Sequence, residues 1–183
     1  MTRTKNSEKI LVVGGCRSGK SGFAEQWLAS RFQRKCFIAT LDVKNDAEMA
    51  RRVAMHRASR GDGWSVIEEP VQLADVLFNS AKKSDALLVD CLTMWLTNLI
   101  LTGRDDETIE DEVHKLTSAV RNCPVPLVLV ANEVGLGIVP ESGLGRRFRD
   151  LAGWTNQQVA KTCETVYFVA AGLPMVLKNN RKN

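Results

Sequence analysis

Short apolar runs alternate with longer stretches of helical periodicity along most of the chain. Runs that are apolar on both faces predict strands at 10–13, 36–39, 64–67, 86–89, 127–131 and 166–170. Apolar residues three or four positions apart predict helices at 21–32, 47–59, 71–80, 94–101, 108–121 and 144–163. A turn at 172–174 leads into 175–177, which we expect to be an antiparallel edge strand. The pattern predicts an α/β fold with a mostly parallel central sheet and helices on both faces.

Length and composition narrow the class of protein. The chain has 183 residues, enough for one well-buried domain, which we place at residues 10–183 after an N-terminal extension, residues 1–9, expected to be flexible. The net charge is +4, but the basic residues are scattered without interleaved aromatic residues, so we expect no nucleic-acid partner. Five widely spaced cysteines without a CxxC pair favour reduced thiols in a cytoplasmic protein. No stretch is long and apolar enough to predict a membrane span.

The strongest local signal is the segment GGCRSGKS, a full GxxxxGK[ST] motif between a predicted strand and a predicted helix. Glycines allow the backbone N–H groups to point inward at phosphates. Lys20 is expected to reach the β- and γ-phosphates, and the Ser21 hydroxyl to bind Mg²⁺. The alternative is a glycine-rich turn that only caps a helix. The predicted phosphate-binding residues are Gly14, Gly15, Cys16, Arg17, Ser18, Gly19, Lys20 and Ser21.

An acidic residue closes the predicted strand at 86–89. Asp90 fits the Walker-B pattern, in which an apolar run ends in a carboxylate that binds Mg²⁺. The carboxyl ends of parallel strands collect ligands, which favours this role. The alternative is that Asp90 is the N-cap of the following helix. The sequence therefore predicts a metal site formed by Ser21 and Asp90.

A histidine lies among arginines on the predicted helix 47–59. His56 lies on the apolar face of that helix, with Arg52, Arg57 and Arg60 around it. Nearby cations disfavour imidazolium, and a neutral imidazole can attack phosphorus. The alternative is a histidine satisfied within the core. The second histidine, His114, lies in a charged helix and is expected at the surface.

Five segments together resemble one enzyme family. They are GGCRSGKS (14–21), FIAT (37–40), the block from Glu48 through His56 to Glu68, NEVGLGIVPE (132–141) and GRRFRDLAGWTNQQVA (145–160). In this order they resemble the bifunctional adenosylcobinamide kinase / adenosylcobinamide-phosphate guanylyltransferase family of cobalamin biosynthesis. The resemblance covers nearly all of the chain after the first nine residues. Its phosphate loop is generic, whereas the His56 block and NEVGLGIVPE are specific.

The resemblance implies a RecA-like P-loop NTPase fold and two reactions. The family phosphorylates adenosylcobinamide with ATP or GTP and then transfers GMP from GTP through a GMP-histidine intermediate, releasing pyrophosphate. It implies that His56 and Lys20 are catalytic, that Mg²⁺ is the cofactor and that the protein is a homotrimer. Glu68, rather than its neighbour Glu69, matches a nucleotide contact. The further nucleotide-binding positions implied are Ala39, Thr40, Leu41, Arg57, Ala58, Ser59, Arg60, Glu68 and Asp90.

Several alternatives remain open at this level. One is a monofunctional small-molecule kinase in which His56 is structural, and another is a module whose nucleotide binding switches a partner interaction. The residues alone fit 132–141 equally well as a substrate loop and as a glycine-rich strand-to-helix connection. Trp27, Trp95 and Trp154 suit either the core or a subunit interface.

Overall fold

The computed structural model describes residues 7–42 and 62–180. The predicted helix at 47–59 lies outside this part of the chain. Seven strands and five helices form within it. In chain order they are β1 (Lys9–Gly14), α1 (Lys20–Ala29), β2 (Lys35–Ala39), β3 (Trp64–Glu68), α2 (Leu73–Ser80), β4 (Ala86–Asp90), α3 (Leu92–Leu101), α4 (Asp106–Asn122), β5 (Leu127–Asn132), α5 (Gly143–Thr162), β6 (Thr165–Ala170) and β7 (Leu173–Asn179).

The strands form one sheet in the order β3-β2-β4-β5-β1-β6-β7. Every neighbouring pair is parallel except β6 and β7, which are antiparallel. Six carboxyl ends therefore lie along the same edge of the sheet. The register places Gly14 opposite Asn132 of β5 and opposite Val169 of β6. On the other side of β5, Asp90 lies opposite Val130.

Helices cover both faces of the sheet, since successive strand residues point into two different cores. Ile10 and Val12 of β1 pack on the side of α1, whereas Leu11 and Val13 pack on the side of the remaining helices. Runs of buried residues on both faces are expected for parallel strands. The predicted α/β class, with its mostly parallel sheet and antiparallel C-terminal edge strand, is confirmed.

Of the three tryptophans considered for the core or an interface, Trp95 belongs clearly to the core. Trp95 of α3 is 1% exposed, and its indole N–H donates to the carbonyl of Val71 at 2.8 Å. Burial of a large aromatic side chain with its single donor satisfied stabilises the fold. Trp27 and Trp154 are half-buried.

The predicted turn near the C-terminus was misplaced. The chain turns at Ala171 and Gly172, with φ of 51° and 79°, and β7 already begins at Leu173. Two residues at positive φ match the right-handed twist of a two-residue hairpin. Pro174 therefore lies in the edge strand, where one side of the strand has no neighbour to hydrogen-bond.

Other boundaries differ by one to three residues. Lys9 is the first residue of β1 and is buried, so it belongs to the sheet and not to the predicted extension. Helix α3 begins at Leu92 rather than 94, because Cys91 takes the extended N-cap conformation. Helix α1 ends at Ala29 rather than 32, where the bond from Arg31 N–H to Leu28 O tightens the last turn. Among the helices described, none has the length and apolarity of a membrane span.

Candidate active site

The phosphate loop connects β1 to α1 at the centre of the sheet. Gly14 approaches β6 so closely that a Cβ there would lie 2.4 Å from the carbonyl oxygen of Val169. Gly19, the N-cap of α1, has φ of 94°, a conformation that favours glycine. Both glycines are therefore required by the local backbone. The loop ends at the N-terminus of α1, where the helix dipole favours an anion.

Lys20 is held inside the loop rather than in solvent. It is 8% exposed, and its ammonium donates to the Gly15 carbonyl at 3.0 Å. Ser18 is equally buried, and its hydroxyl has no hydrogen-bond partner among the residues that the structure describes. A buried hydroxyl without a partner is rare in proteins and calls for a ligand or a water molecule. Cys16 and Arg17 are exposed at the tip of the loop.

The structure shows that Asp90 is not the N-cap of the following helix. Asp90 is the last residue of β4, and Cys91 is the N-cap of α3. The helix-cap alternative is therefore wrong. β4 and β1 are separated by β5 alone, so their carboxyl ends lie about 10 Å apart, twice the usual strand spacing. The half-buried Asp90 and Ser21 thus supply a carboxylate and a hydroxyl oxygen at one edge of the sheet.

These oxygen ligands fit Mg²⁺, which is commonly bound by one or two carboxylates together with substrate phosphates. Within 7–42 and 62–180, no group of three or more His, Cys, Asp and Glu side chains could hold a metal ion by itself. Burial, together with the charge of Asp90, raises the pKa of the neighbouring Cys91 thiol to about 11. Cys91 is therefore protonated at neutral pH and is a poor metal ligand.

The segment after β2 contributes mainly through its backbone. The Thr40 hydroxyl donates to Cys91 O at 2.7 Å and accepts from Cys91 N–H at 2.8 Å. Thr40 is fully buried, so it ties the ends of β2 and β4 together. Ala39 is buried in β2, and Leu41 is half-buried just beyond it. Of the three predicted positions, only Leu41 presents side-chain surface.

The structure distinguishes Glu68 from Glu69. The Glu69 carboxylate accepts from the N–H groups of Val71 at 2.9 Å and Gln72 at 2.7 Å, so it closes a turn. Glu68 is exposed at the carboxyl end of β3, on the same edge as Asp90 and the phosphate loop. Of these two adjacent carboxylates, Glu68 is the exposed one.

Some predicted residues lie outside the part of the chain that the structure describes. They are His56, Arg57, Ala58, Ser59 and Arg60. His114 lies on α4 and is exposed, as expected, with its ring 5.7 Å from that of Trp154.

The segment 133–142 connects β5 to α5 and begins beside the phosphate loop. The N–H of Glu133 donates to Gly14 O at 3.0 Å, and the Glu133 carboxylate accepts from Gly135 N–H. Leu136 and Ile138 are 81% and 96% exposed. Arg146 closes the far end by donating to the carbonyls of Pro140 and Glu141. This connection therefore begins beside the phosphate loop and exposes two apolar side chains farther along.

Two supporting residues escaped prediction. Asn98, inside the apolar helix α3, donates to the carbonyls of Thr40 at 2.7 Å and Pro70 at 3.0 Å. An amide within an apolar helix was the available signal, although its partners could not be read from sequence. Gly172 donates its N–H to Ser18 O at 2.8 Å, inside the phosphate loop. Its sequence indicated only a turn.

Comparisons with known proteins agree with the motifs. The family model described as "Cobinamide kinase / cobinamide phosphate guanyltransferase" matches residues 10–177. The "Bifunctional adenosylcobalamin biosynthesis protein CobP" of Pseudomonas aeruginosa is 46% identical over 168 residues, which is 92% of this chain and 96% of that protein. The "Bifunctional adenosylcobalamin biosynthesis protein CobU" of Escherichia coli is 38% identical, covering 92% of this chain and 99% of its own.

Two further similarities complete the comparison. The protein CobU of Salmonella typhimurium is 39% identical over 181 residues, again with 92% of this chain and 99% of its own covered. Among solved structures, a KaiC-like protein of Pyrococcus horikoshii aligns with a TM-score of 0.49 and 15% identity, covering 88% of this chain and 70% of that one.

Proposed function

This chain belongs to the cobinamide kinase / cobinamide phosphate guanyltransferase family, and from this premise we propose that it phosphorylates adenosylcobinamide with ATP or GTP and then attaches GMP to the new phosphate. As a member of that family it is a kinase and guanylyltransferase of cobalamin biosynthesis. The observation that carries the phosphoryl-transfer step is the folded phosphate loop with Lys20 held inside it. The guanylyl-transfer step is proposed from the family match.

The first step is phosphoryl transfer. The hydroxyl oxygen of adenosylcobinamide attacks the γ-phosphorus, the bond to the β,γ-bridging oxygen breaks, and the nucleoside diphosphate leaves as the hydroxyl proton is lost. Lys20 and the loop N–H groups stabilise the charge that develops on the phosphate oxygens. A Mg²⁺ ion held by Ser21 and Asp90 would supply further neutralisation of phosphate charge.

The second step is nucleotidyl transfer through His56. A ring nitrogen of the neutral imidazole attacks the α-phosphorus of GTP, and the bond to the pyrophosphate oxygen breaks. A phosphate oxygen of adenosylcobinamide phosphate then attacks the same phosphorus. The phosphorus–nitrogen bond breaks, which gives adenosylcobinamide-GDP and restores the histidine. Arg57 and Arg60 help to keep the imidazole neutral and to hold the nucleotide phosphates.

Glu68 is the residue that we assign to recognition of the guanine or the ribose. Its carboxylate can accept hydrogen bonds from the guanine N–H groups or from ribose hydroxyls. The commitment of Glu69 to the backbone of 71–72 supports this choice. Ala39, Thr40 and Leu41 form the wall between Glu68 and Asp90, because β2 lies between β3 and β4.

We place the corrinoid acceptor against the segment 133–142. The support is its contact with Gly14 and its exposed apolar residues. Ile138→Ser is expected to raise the KM for adenosylcobinamide and to leave the KM for GTP unchanged. Leu101→Ser, at another exposed apolar position at the end of α3, is the control. Equal effects of both variants would contradict this placement.

The labelling experiment tests the histidine intermediate directly. Incubation with α-labelled GTP is expected to leave label on the protein that is lost in acid and retained in alkali, as for a phosphoramidate. His56→Asn should abolish the label, while His114→Asn should retain it. His114 is a matched control, since the chain has two histidines and this one is exposed on α4. Wild-type protein that turns over but takes up no label contradicts the intermediate.

The same experiment distinguishes the bifunctional enzyme from a monofunctional kinase. A monofunctional kinase, which the phosphate loop alone would support, transfers the γ-phosphate and takes no label from the α-position. In that case His56→Asn would lower stability without removing a half-reaction. A switching module would bind GTP and turn over no cobinamide.

We propose a homotrimer for the assembly. The edge strand β7 supports an interface, because Leu173, Met175, Val176 and Leu177 are each more than half exposed. Sedimentation equilibrium is expected to give three times the chain mass, and Leu177→Asp to lower it. Phe78→Asp, at a similarly exposed apolar position on α2, should leave the mass unchanged. A monomeric wild type contradicts the proposal.

A further inference from the structure

The hairpin turn between β6 and β7 touches the phosphate loop at its centre. The N–H of Gly172 donates to the carbonyl of Ser18 at 2.8 Å. The contact is also close in space, since a Cβ on Gly19 would lie 3.0 Å from the Cα of Gly172. The turn therefore meets the loop by a backbone hydrogen bond and by direct packing.

The backbone takes positive φ on both sides of Ser18 and at Gly172 with the residue before it. Arg17 and Gly19, which flank Ser18, have φ of 55° and 94°. Ala171 and Gly172 have φ of 51° and 79°. Within the described ranges, Arg17 and Ala171 are the non-glycine residues at positive φ, a conformation that is unfavourable for L-residues. Strain of this kind persists where surrounding contacts hold it, and it clusters at functional sites.

The geometry of the peptide unit links this contact to phosphate binding. The C=O of Ser18 and the N–H of Gly19 belong to one planar peptide and point in opposite directions. With the carbonyl fixed on Gly172, the Gly19 N–H is directed away from the turn. In a GxxxxGK[ST] loop the N–H groups are the phosphate donors. The turn therefore orients the Gly19 N–H of the loop by holding the Ser18 carbonyl on the opposite side of the same peptide.

We infer that Gly172 is a positioning residue for triphosphate binding, acting on the phosphate loop through Ser18. It touches no substrate in this role. The inference needs the loop to bind a triphosphate, but it does not depend on the histidine intermediate or on the corrinoid acceptor.

A pair of matched glycines tests the inference. Gly103, in the loop after α3, has φ of 80°, and like Gly172 it has open space where a Cβ would lie. Gly172→Ala and Gly103→Ala therefore strain the backbone alike. We expect similar losses in thermal stability, but a KM for GTP raised about fivefold to tenfold by Gly172→Ala only. Equal KM values in the two variants would overturn the inference.

Hydrogen exchange of the wild-type protein gives a second readout that needs no variant to fold. Addition of Mg²⁺ and GTP should slow exchange of the Gly172 amide by at least about tenfold. The Gly103 amide, which donates to Ile100 O at 3.0 Å, should be unaffected. GTP binding without added protection at Gly172 overturns the inference alone. A wild-type protein that binds no GTP overturns both the inference and the proposed function.

Discussion

The two ends of the sheet are built on opposite principles. At the edge of the sheet where the six parallel strands begin, lysine ammonium groups are matched to acceptors. Lys9, Lys35 and Lys178 each donate an ammonium group to at least two backbone carbonyls. Lys9 and Lys35 are 1% and 6% exposed. A buried charge with hydrogen-bonded partners is tolerated, and removing one member leaves the others unpaired.

At the carboxyl ends, by contrast, polar groups and strain remain available to a ligand. The hydroxyl of Ser18 is buried and has no partner within 7–42 and 62–180, and Arg17 and Ala171 have positive φ. Lys20 is also buried, at 8% exposure, yet within the described ranges its ammonium donates only to the loop carbonyl of Gly15. The difference teaches that the amino end serves stability and the carboxyl end serves binding, and each can be tested by substitution.

The largest expected effect is on Lys20. Lys20→Ala should lower kcat/KM for GTP by about 10³-fold, because it removes a charged donor to the transferred phosphoryl group. The free energy of unfolding should change little. Lys115→Ala, an exposed lysine paired with Glu112 on α4, is the control and should leave both quantities unchanged. Steady-state kinetics and urea unfolding measure the two. A Lys20→Ala variant with a lower free energy of unfolding but an unchanged kcat/KM would contradict the comparison.

Lys9→Met is the reciprocal test at the other end. It should lower the free energy of unfolding by about 2 kcal/mol, because the carbonyls of Ser7 and Val125 lose a charged donor in a buried place. The kcat/KM of the folded enzyme should be unchanged. Equilibrium urea unfolding measures the loss. If kcat/KM falls while stability holds, the two ends are not separate in function.

Thiol reactivity tests the nucleotide site in the wild-type protein, with no substitution. Cys16, in the phosphate loop, is exposed, whereas Cys36, Cys91, Cys123 and Cys163 are buried. Burial raises the pKa of Cys163 to about 12, as it raises that of Cys91. At pH 8 one thiol should therefore react rapidly with Ellman's reagent, and the other four only after unfolding. Saturating GTP with Mg²⁺ should slow the rapid reaction. A rapid thiol that is indifferent to GTP would place the nucleotide elsewhere.

The smallest expected effect is at the surface pair beside the amino ends. Arg34 and Asp85 lie 2.7 Å apart but are 70% and 34% exposed, so the pair should add little to stability. The hydrogen bond from Arg34 lowers the pKa of Asp85, so this contribution exists above the unfolded pKa and is lost as pH falls. The stability difference between wild type and Asp85→Asn should shrink below about pH 4. A large difference at neutral pH would show that solvent does not screen the pair.

The phosphate loop and its flanking elements were predictable because their signal is local. The segment GGCRSGKS carries its glycines, its lysine and its serine within residues 14–21. The apolar runs on β1, β4 and β5 identify buried parallel strands. The role of Asp90 as the end of a strand was also predictable, since the acid directly follows its apolar run. Its Mg²⁺ role and that of Ser21 stay predictions.

Other features could not be read from the chain. Glu68 and Glu69 are adjacent and chemically identical, and the choice of Glu68 came from the family resemblance alone. The structure adds that Glu69 accepts hydrogen bonds from the backbone of 71–72. Thr40 was expected at the nucleotide site by resemblance, but its hydroxyl is used by the backbone of Cys91. These assignments depend on where a side chain finds its partner. Spacing along the chain does not specify this.

By itself, the sequence determined the α/β class, the position of the phosphate loop and the carboxylate that ends β4. Each follows from patterns within a few neighbouring residues, where backbone sterics and hydrophobic periodicity act directly. Only the tertiary structure decided the strand order and the contact of Gly172 with Ser18. Residues from opposite ends of the chain meet there because six parallel strands bring their carboxyl ends to one edge, and such a meeting leaves no local pattern to read.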